Sequence, residues 1–151
     1  MTDTLLVLPG PPAFSAFRLN KLLARVRTVA PSATALYAEY VHLLSSDGRL
    51  TTPERGVAEA LLEYGPRMGL PEKIGDRRVT VLPRPGTISP WSSKATDIFR
   101  ICGLENVRRV ERAVRWYVEG NAAIDLLIPL LHDRMTQSVV IGDDFSALFA
   151  T

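Results

Sequence analysis

The chain of 151 residues carries one cysteine and two histidines. A lone thiol excludes a disulfide within the chain and a cysteine-based zinc site. No HxxxH or HxE spacing links His42 and His132, so a metal centre is not expected. Unbroken apolar runs last only a few residues, too short for a membrane span. No basic stretch precedes the short apolar segment Leu5–Leu8, so it is not read as a signal peptide, and the expected compartment is the cytoplasm. Neither a GxxxxGK loop nor GxGxxG occurs, so no ATP site of those types is encoded. An excess of one charge is also missing: 18 Lys and Arg stand against 16 Asp and Glu. The densest basic group, Arg108, Arg109, Arg112 and Arg115, is interleaved with Glu105, Glu111 and Glu119. That pattern reads as a solvated face, and no nucleic-acid partner is expected.

What is present suits one globular unit. Apolar residues make up 46% and charged residues 23%, enough to bury a core. Thr4–Leu8 reads as a strand ended by a turn at Pro9-Gly10-Pro11-Pro12. Ser15 opens a helix whose stripe is Leu19, Leu22, Leu23 and Val26. Residues 35–44 read as a strand, and Ser45-Ser46-Asp47-Gly48 as a turn. A second helix starts either with Thr51 as cap and Glu54 completing a capping box, or with Thr52 as cap and Pro53 behind it. Its expected buried stripe is Val57, Leu61 and Leu62, and Gly65-Pro66 is its stop signal before a loop at 66–76.

Arg78–Leu82 reads as the next strand, followed by a turn at Pro83-Arg84-Pro85-Gly86. A helix is expected from Ser92 or Ser93, with Ile98, Ile101 and Cys102 on its apolar side and Gly103 closing it. Residues 107–118 fit a helix or a strand equally by periodicity. Ile124, Leu127, Leu131 and Met135 predict a last helix kinked or restarted at Pro129, and Val139-Val140-Ile141 a last strand.

An internal repeat decides the ambiguous segment. Val7-Leu8-Pro9-Gly10-Pro11 matches Val81-Leu82-Pro83-Arg84-Pro85 at an offset of 74, and Ser15-Ala16-Phe17 meets Ser89-Pro90-Trp91 at the same offset. Glu39-Tyr40-Val41 meets Glu111-Arg112-Ala113 at an offset of 72, which makes 107–118 a strand. Each half, about 1–72 and 73–151, then reads β-α-β-α. The expected fold class is α+β, a single domain over 1–151 with one mostly antiparallel sheet and helices on one face.

Residues 84–97, RPGTISPWSSKATD, are unusual for a plain turn. Pro85, Gly86 and Pro90 stiffen the chain just ahead of Trp91. Ser92, Ser93 and Thr96 offer hydroxyls, and Lys94 puts a cation near a helix start, against the helix dipole. Two readings fit. The segment is a serine-capped helix with Trp91 plugging the core, or a docking edge for a partner.

The segment RPGTISPWSSKATDI, with Cys102-Gly103-Leu104 and Glu111-Arg112 behind it, resembles the amino-terminal domain of the large single-chain phosphoribosylformylglycinamidine synthase. Further matches are Ser15-Ala16-Phe17-Arg18 with Asn20-Lys21-Leu22-Leu23, Tyr37 through His42, Tyr64-Gly65-Pro66 and Leu131-His132-Asp133-Arg134-Met135. The resemblance implies a domain like a fused dimer of the small S subunit of the split enzyme. It also implies synthetase and glutaminase domains, absent here, as partners in an ATP- and magnesium-using, glutamine-dependent amidation of formylglycinamide ribonucleotide in purine biosynthesis. The implied role of this chain is noncatalytic and without a cofactor of its own: it organises the junction of those domains and the passage of ammonia. By the motif match, the expected interface residues are Arg84, Pro85, Ser89, Trp91, Ser92, Ser93, Lys94 and Thr96, with Arg18, Asn20 and Lys21 as the second group. Cys102, on its apolar stripe, is expected in the core rather than as a nucleophile. The alternative is a stand-alone α+β adaptor or small-ligand-binding domain on the same scaffold.

Overall fold

A computed structural model describes residues 3–63, 78–83, 88–120, 124–132 and 137–141. The element order is β1 (Asp3–Pro12), α1 (Ala16–Val29), β2 (Ala33–Asp47), α2 (Thr52–Leu61), β3 (Arg78–Pro83), α3 (Pro90–Ile101), β4 (Val107–Gly120), α4 (Ile124–Leu131) and β5 (Gln137–Ile141). Among the described residues the strands form one five-stranded sheet in the order β1-β2-β4-β3-β5, antiparallel at each pairing. The architecture is α+β, as the alternation of apolar strands and amphipathic helices predicts, and 107–118 is a strand. The loop at 66–76, the stop signal at Gly65-Pro66, the turn residues Arg84, Pro85 and Gly86, and Met135 lie outside the described residues.

Side chains alternate across a strand, so register fixes which residues share a face. The pairs Leu36–Val118, Ala38–Trp116 and Leu44–Val110 put the even positions of β2 and β4 together. All four described helices cover that face. α1 and α4 lie over one end, where Leu19, Val26, Leu127 and Leu131 meet Leu36, Ala38, Val79 and Trp116. α2 and α3 lie over the other, where Ala58, Leu62 and Phe99 meet Leu8, Leu44 and Val110. A smaller cluster of Val41, Leu43, Leu82 and Ala113 is buried on the opposite face.

Several local expectations give way to tertiary context. The prolines after Leu8 do not end β1: Pro9 still pairs with Val41 and Pro12 with Glu39, across a break in register. β1 stands at one end of the described strand order, where a missing N–H need not cost a ladder bond. Ser45 and Ser46 extend β2 rather than turning it, because they pair with Arg109 and Val107; the chain turns at Gly48, whose φ of 80° suits glycine. Helix α2 uses the Thr51 frame. Thr51 Oγ1 accepts the Glu54 N–H at 3.3 Å, and a Glu54 carboxylate oxygen accepts the Thr51 N–H at 2.9 Å. Its buried residues are Ala58 and Leu62, while Val57 faces out.

Helix α3 starts earlier than the expected Ser92 or Ser93. Ser89 caps it and Pro90 takes the first helical position, where no N–H is needed. Its buried side is Ser92, Thr96 and Phe99; Ile98 and Ile101 face solvent, and Cys102 is exposed rather than in the core.

Candidate functional site

The segment around Trp91 is built on an unusual seam between helix and sheet. β3 accompanies β4 only from Tyr117 to Val114. Further along β4, α3 takes the neighbouring position and supplies hydroxyls where a strand would supply backbone. Ser92 Oγ donates to the Val110 carbonyl. Thr96 Oγ1 accepts the Val110 N–H at 3.0 Å and donates to the Ser92 carbonyl at 2.8 Å. Both polar groups of a buried backbone residue are thereby satisfied, which a buried segment requires. The spacing of Ser92 and Thr96, one helical turn, places both hydroxyls on the side facing β4.

Ser89 ties the start of α3 to the same strand. Its Oγ accepts the Ser92 N–H at 3.0 Å and donates to the Glu111 carboxylate at 2.8 Å. Glu111 is only 1% exposed. It is neutralised by Arg109, whose Nη2 lies 2.8 Å from Oε2, and the Arg112 N–H donates to Oε1 at 3.1 Å. A buried carboxylate with this many donors is costly to disturb.

Trp91, at this anchored helix start, is half-buried and packs against the core cluster of Leu44, Phe99 and Val110, as the core-plug reading expects, while it also borders the surface. Its ring stacks on His42, with centroids 5.8 Å apart and planes at 27°. The Arg112 guanidinium lies 4.8 Å from the Trp91 centroid and 4.2 Å from that of Tyr40. His42 is fully buried, and burial lowers its pKa to about 4. A hydrogen bond with the Leu8 backbone favours the charged form, and Arg112 opposes it. The ring is therefore neutral at pH 7. Tyr40, Trp91 and Arg112, with Pro83, Ser89 and Gln137, border a cleft of about 360 Å³. The arrangement places aromatic rings and a cation side by side at an opening.

The residues singled out from the motif thus separate into two kinds. Ser92 and Thr96 are buried and occupied by Val110, and Ser89 by Glu111. Ser93 and Lys94 are exposed, and Lys94 flanks a second opening of about 180 Å³ with Leu61, Trp91 and Ile98. Arg84 and Pro85 lie outside the described residues. Arg18, Asn20 and Lys21 are exposed on α1, over the other end of the sheet. Sequence reading missed Tyr40, His42, Glu111 and Arg112 as members of the Trp91 site. Only the β2–β4 register, which sets His42 beside Arg112, brings them to it.

A separate polar group lies on the face opposite the helices. Tyr117 donates to Glu39 at 2.8 Å, and Arg115 stands 3.8 Å from the same carboxylate. Burial and the Glu39 bond raise the phenol pKa. His132 Nδ1 lies 2.6 Å from the Ile128 carbonyl, one turn back at the end of α4. Among the described residues no group of three His, Cys, Asp or Glu could hold a metal, and no helix is long and apolar enough to cross a membrane.

Comparison with known families agrees with the motif. A family model described as formylglycinamide ribonucleotide amidotransferase N-terminal matches residues 39–149, well over half of the chain. The match starts within β2 and takes in α2, β3, α3 with the Trp91 segment, β4, α4 and β5. The chain belongs to this family.

Proposed function

We propose, on the premise of that membership, that the chain is the noncatalytic amino-terminal unit of a phosphoribosylformylglycinamidine synthase, and that residues 1–151 form a single domain of two related halves. Its task is to hold synthetase and glutaminase domains at a common junction during the ATP- and glutamine-dependent amidation of formylglycinamide ribonucleotide in cytoplasmic purine biosynthesis. ATP and magnesium belong to the synthetase part. Ammonia released into neutral water becomes mostly ammonium and loses its nucleophilic electron pair, so a packed junction that excludes water protects the transfer.

One observation carries this reading. Ser89, Ser92 and Thr96 spend their hydroxyls fixing α3 to β4, which leaves Ser93 and Lys94 exposed and the half-buried Trp91 bordering two openings on a fixed helix start. A pre-organised edge suits domain contact because little freedom is lost on docking. Arg84 and Pro85 precede that edge in the chain, and Arg18, Asn20 and Lys21 form the second contact.

The test is association of residues 1–151 with the purified remainder of a family enzyme. Wild type is expected to bind. Lys94→Glu, at an exposed position, and Trp91→Ala are expected to weaken binding at least tenfold. Two folded pieces that do not associate would overturn the assignment and favour a stand-alone adaptor.

A further inference from the structure

A further cleft, of about 540 Å³, opens between α1 and α4 at the end of the sheet away from Trp91. Its apolar lining includes Leu22, Trp116 and Leu130. Its rim is cationic. Arg18, Lys21 and Arg25 follow i, i+3, i+7 spacing, which aligns them along one side of α1 over about 10 Å. The helix also bears Arg27 and has no carboxylate anywhere along its length. Among the described residues none of Arg18, Lys21 and Arg25 has an ion-pair partner. Helix α2 gives the contrast: there Arg55 meets Glu59 at 3.1 Å one turn on, the usual arrangement of a face that meets only water.

Two of the cations are held over rings. The Arg18 guanidinium is 4.7 Å from the Phe14 centroid and the Lys21 ammonium 5.4 Å from that of Phe17. Phe17 itself is 71% exposed. An outward aromatic beside arginine, around an apolar floor, has the make-up of the energetic centre of a protein interface. Nucleic-acid interfaces are more polar throughout and would leave this floor unfilled.

We propose that the α1–α4 cleft docks an acidic amphipathic helix. Its carboxylates meet the Arg18–Lys21–Arg25 row, and its large apolar side chains enter the cleft beside Trp116 and Leu130. The inference deepens the reading above, on which that helix belongs to a neighbouring domain of the same enzyme.

The probe is a fluorescent synthetic helix of about 18 residues, with Glu at i, i+3 and i+7 and Leu and Phe on the adjacent stripe. It is titrated into the 151-residue chain. Binding is expected to fall at least tenfold when the three Glu become Gln, when Arg18→Glu, Lys21→Glu and Arg25→Glu are combined, and when salt is raised from 50 to about 500 mM. Phe17→Ser, at an exposed position, is expected to weaken it severalfold. No binding of the probe, equal binding by the triple variant, or tighter binding of an oligoglutamate or a single-stranded oligonucleotide would overturn the proposal. Association with the remainder of the enzyme is scored separately. If wild type and the triple variant associate equally, the α1 cleft is not the contact while the junction reading stands; if neither associates, the junction reading falls and the peptide titration still decides the cleft.

Discussion

The His42 imidazole stacks under the Trp91 indole with 5.8 Å between centroids, although neither residue has a sequence neighbour in common with the other. The contact joins the middle of β2 to the start of α3. Burial of the same His42 ring makes the fold pH-sensitive. His42 has a folded pKa of about 4 against 6.5 in the unfolded chain, so the unfolded state binds more protons between those values. The stabilisation is complete above about pH 6.5 and is lost as pH falls towards 4, at most about 3 kcal/mol. Urea unfolding at a series of pH values is expected to show this slope, and His42→Gln is expected to flatten it.

Thr96→Val keeps the shape of the side chain and removes the acceptor for the Val110 N–H. An amide left unsatisfied in a buried site costs about 1–3 kcal/mol. The loss is expected in the denaturation midpoint at unchanged slope. Ser93→Ala, one turn position away and exposed, is expected to change stability by less than about 0.5 kcal/mol.

Arg109→Met strips the counter-ion from Glu111, which keeps its bonds to Ser89 and to the Arg112 N–H but stays inside the protein. An uncompensated buried carboxylate costs about 3–5 kcal/mol. Converting both residues, Arg109→Met with Glu111→Gln, is expected to recover much of that loss, measurable as coupling in a double-mutant cycle.

Gly10→Ala places a methyl group against the His42 ring, closer than packed atoms tolerate. Overpacking of this kind costs about 1–3 kcal/mol. A Trp91 fluorescence change alongside the stability loss is expected, because His42 lies between the two residues.

Cys102 is exposed at the end of α3. The native chain is therefore expected to react with one equivalent of a thiol reagent without denaturant, and as fast as the unfolded chain to within about an order of magnitude.

Strand and helix identity could be read from the amino acids because apolar period and capping residues agree over most of the chain. Ser15 caps α1 where its chemistry placed it, and of the two frames open at the start of α2 the Thr51–Glu54 capping box is the one used. The readings that failed did so for identifiable reasons. Helix α3 packs through Ser92, Thr96 and Phe99, so a search for an apolar stripe selected Ile98, Ile101 and Cys102 on the wrong side. Pro9 and Pro12 looked like a turn because local propensity carries no knowledge of where a strand sits in its sheet. The Trp91 segment was visible as a motif, but its surroundings were not. Tyr40, His42 and Arg112 reach it only through the antiparallel register of β2 and β4, a long-range fact that no local pattern holds.

The hydroxyl seam between α3 and β4 has a mechanical consequence. Sliding the helix by even one residue would strip Val110 of both its partners at once, at a cost of about 1–3 kcal/mol for each group. A push applied at Trp91 is consequently passed to the long β2–β4 ladder instead of being absorbed by slippage, and helix and sheet respond to load as one stiff lever.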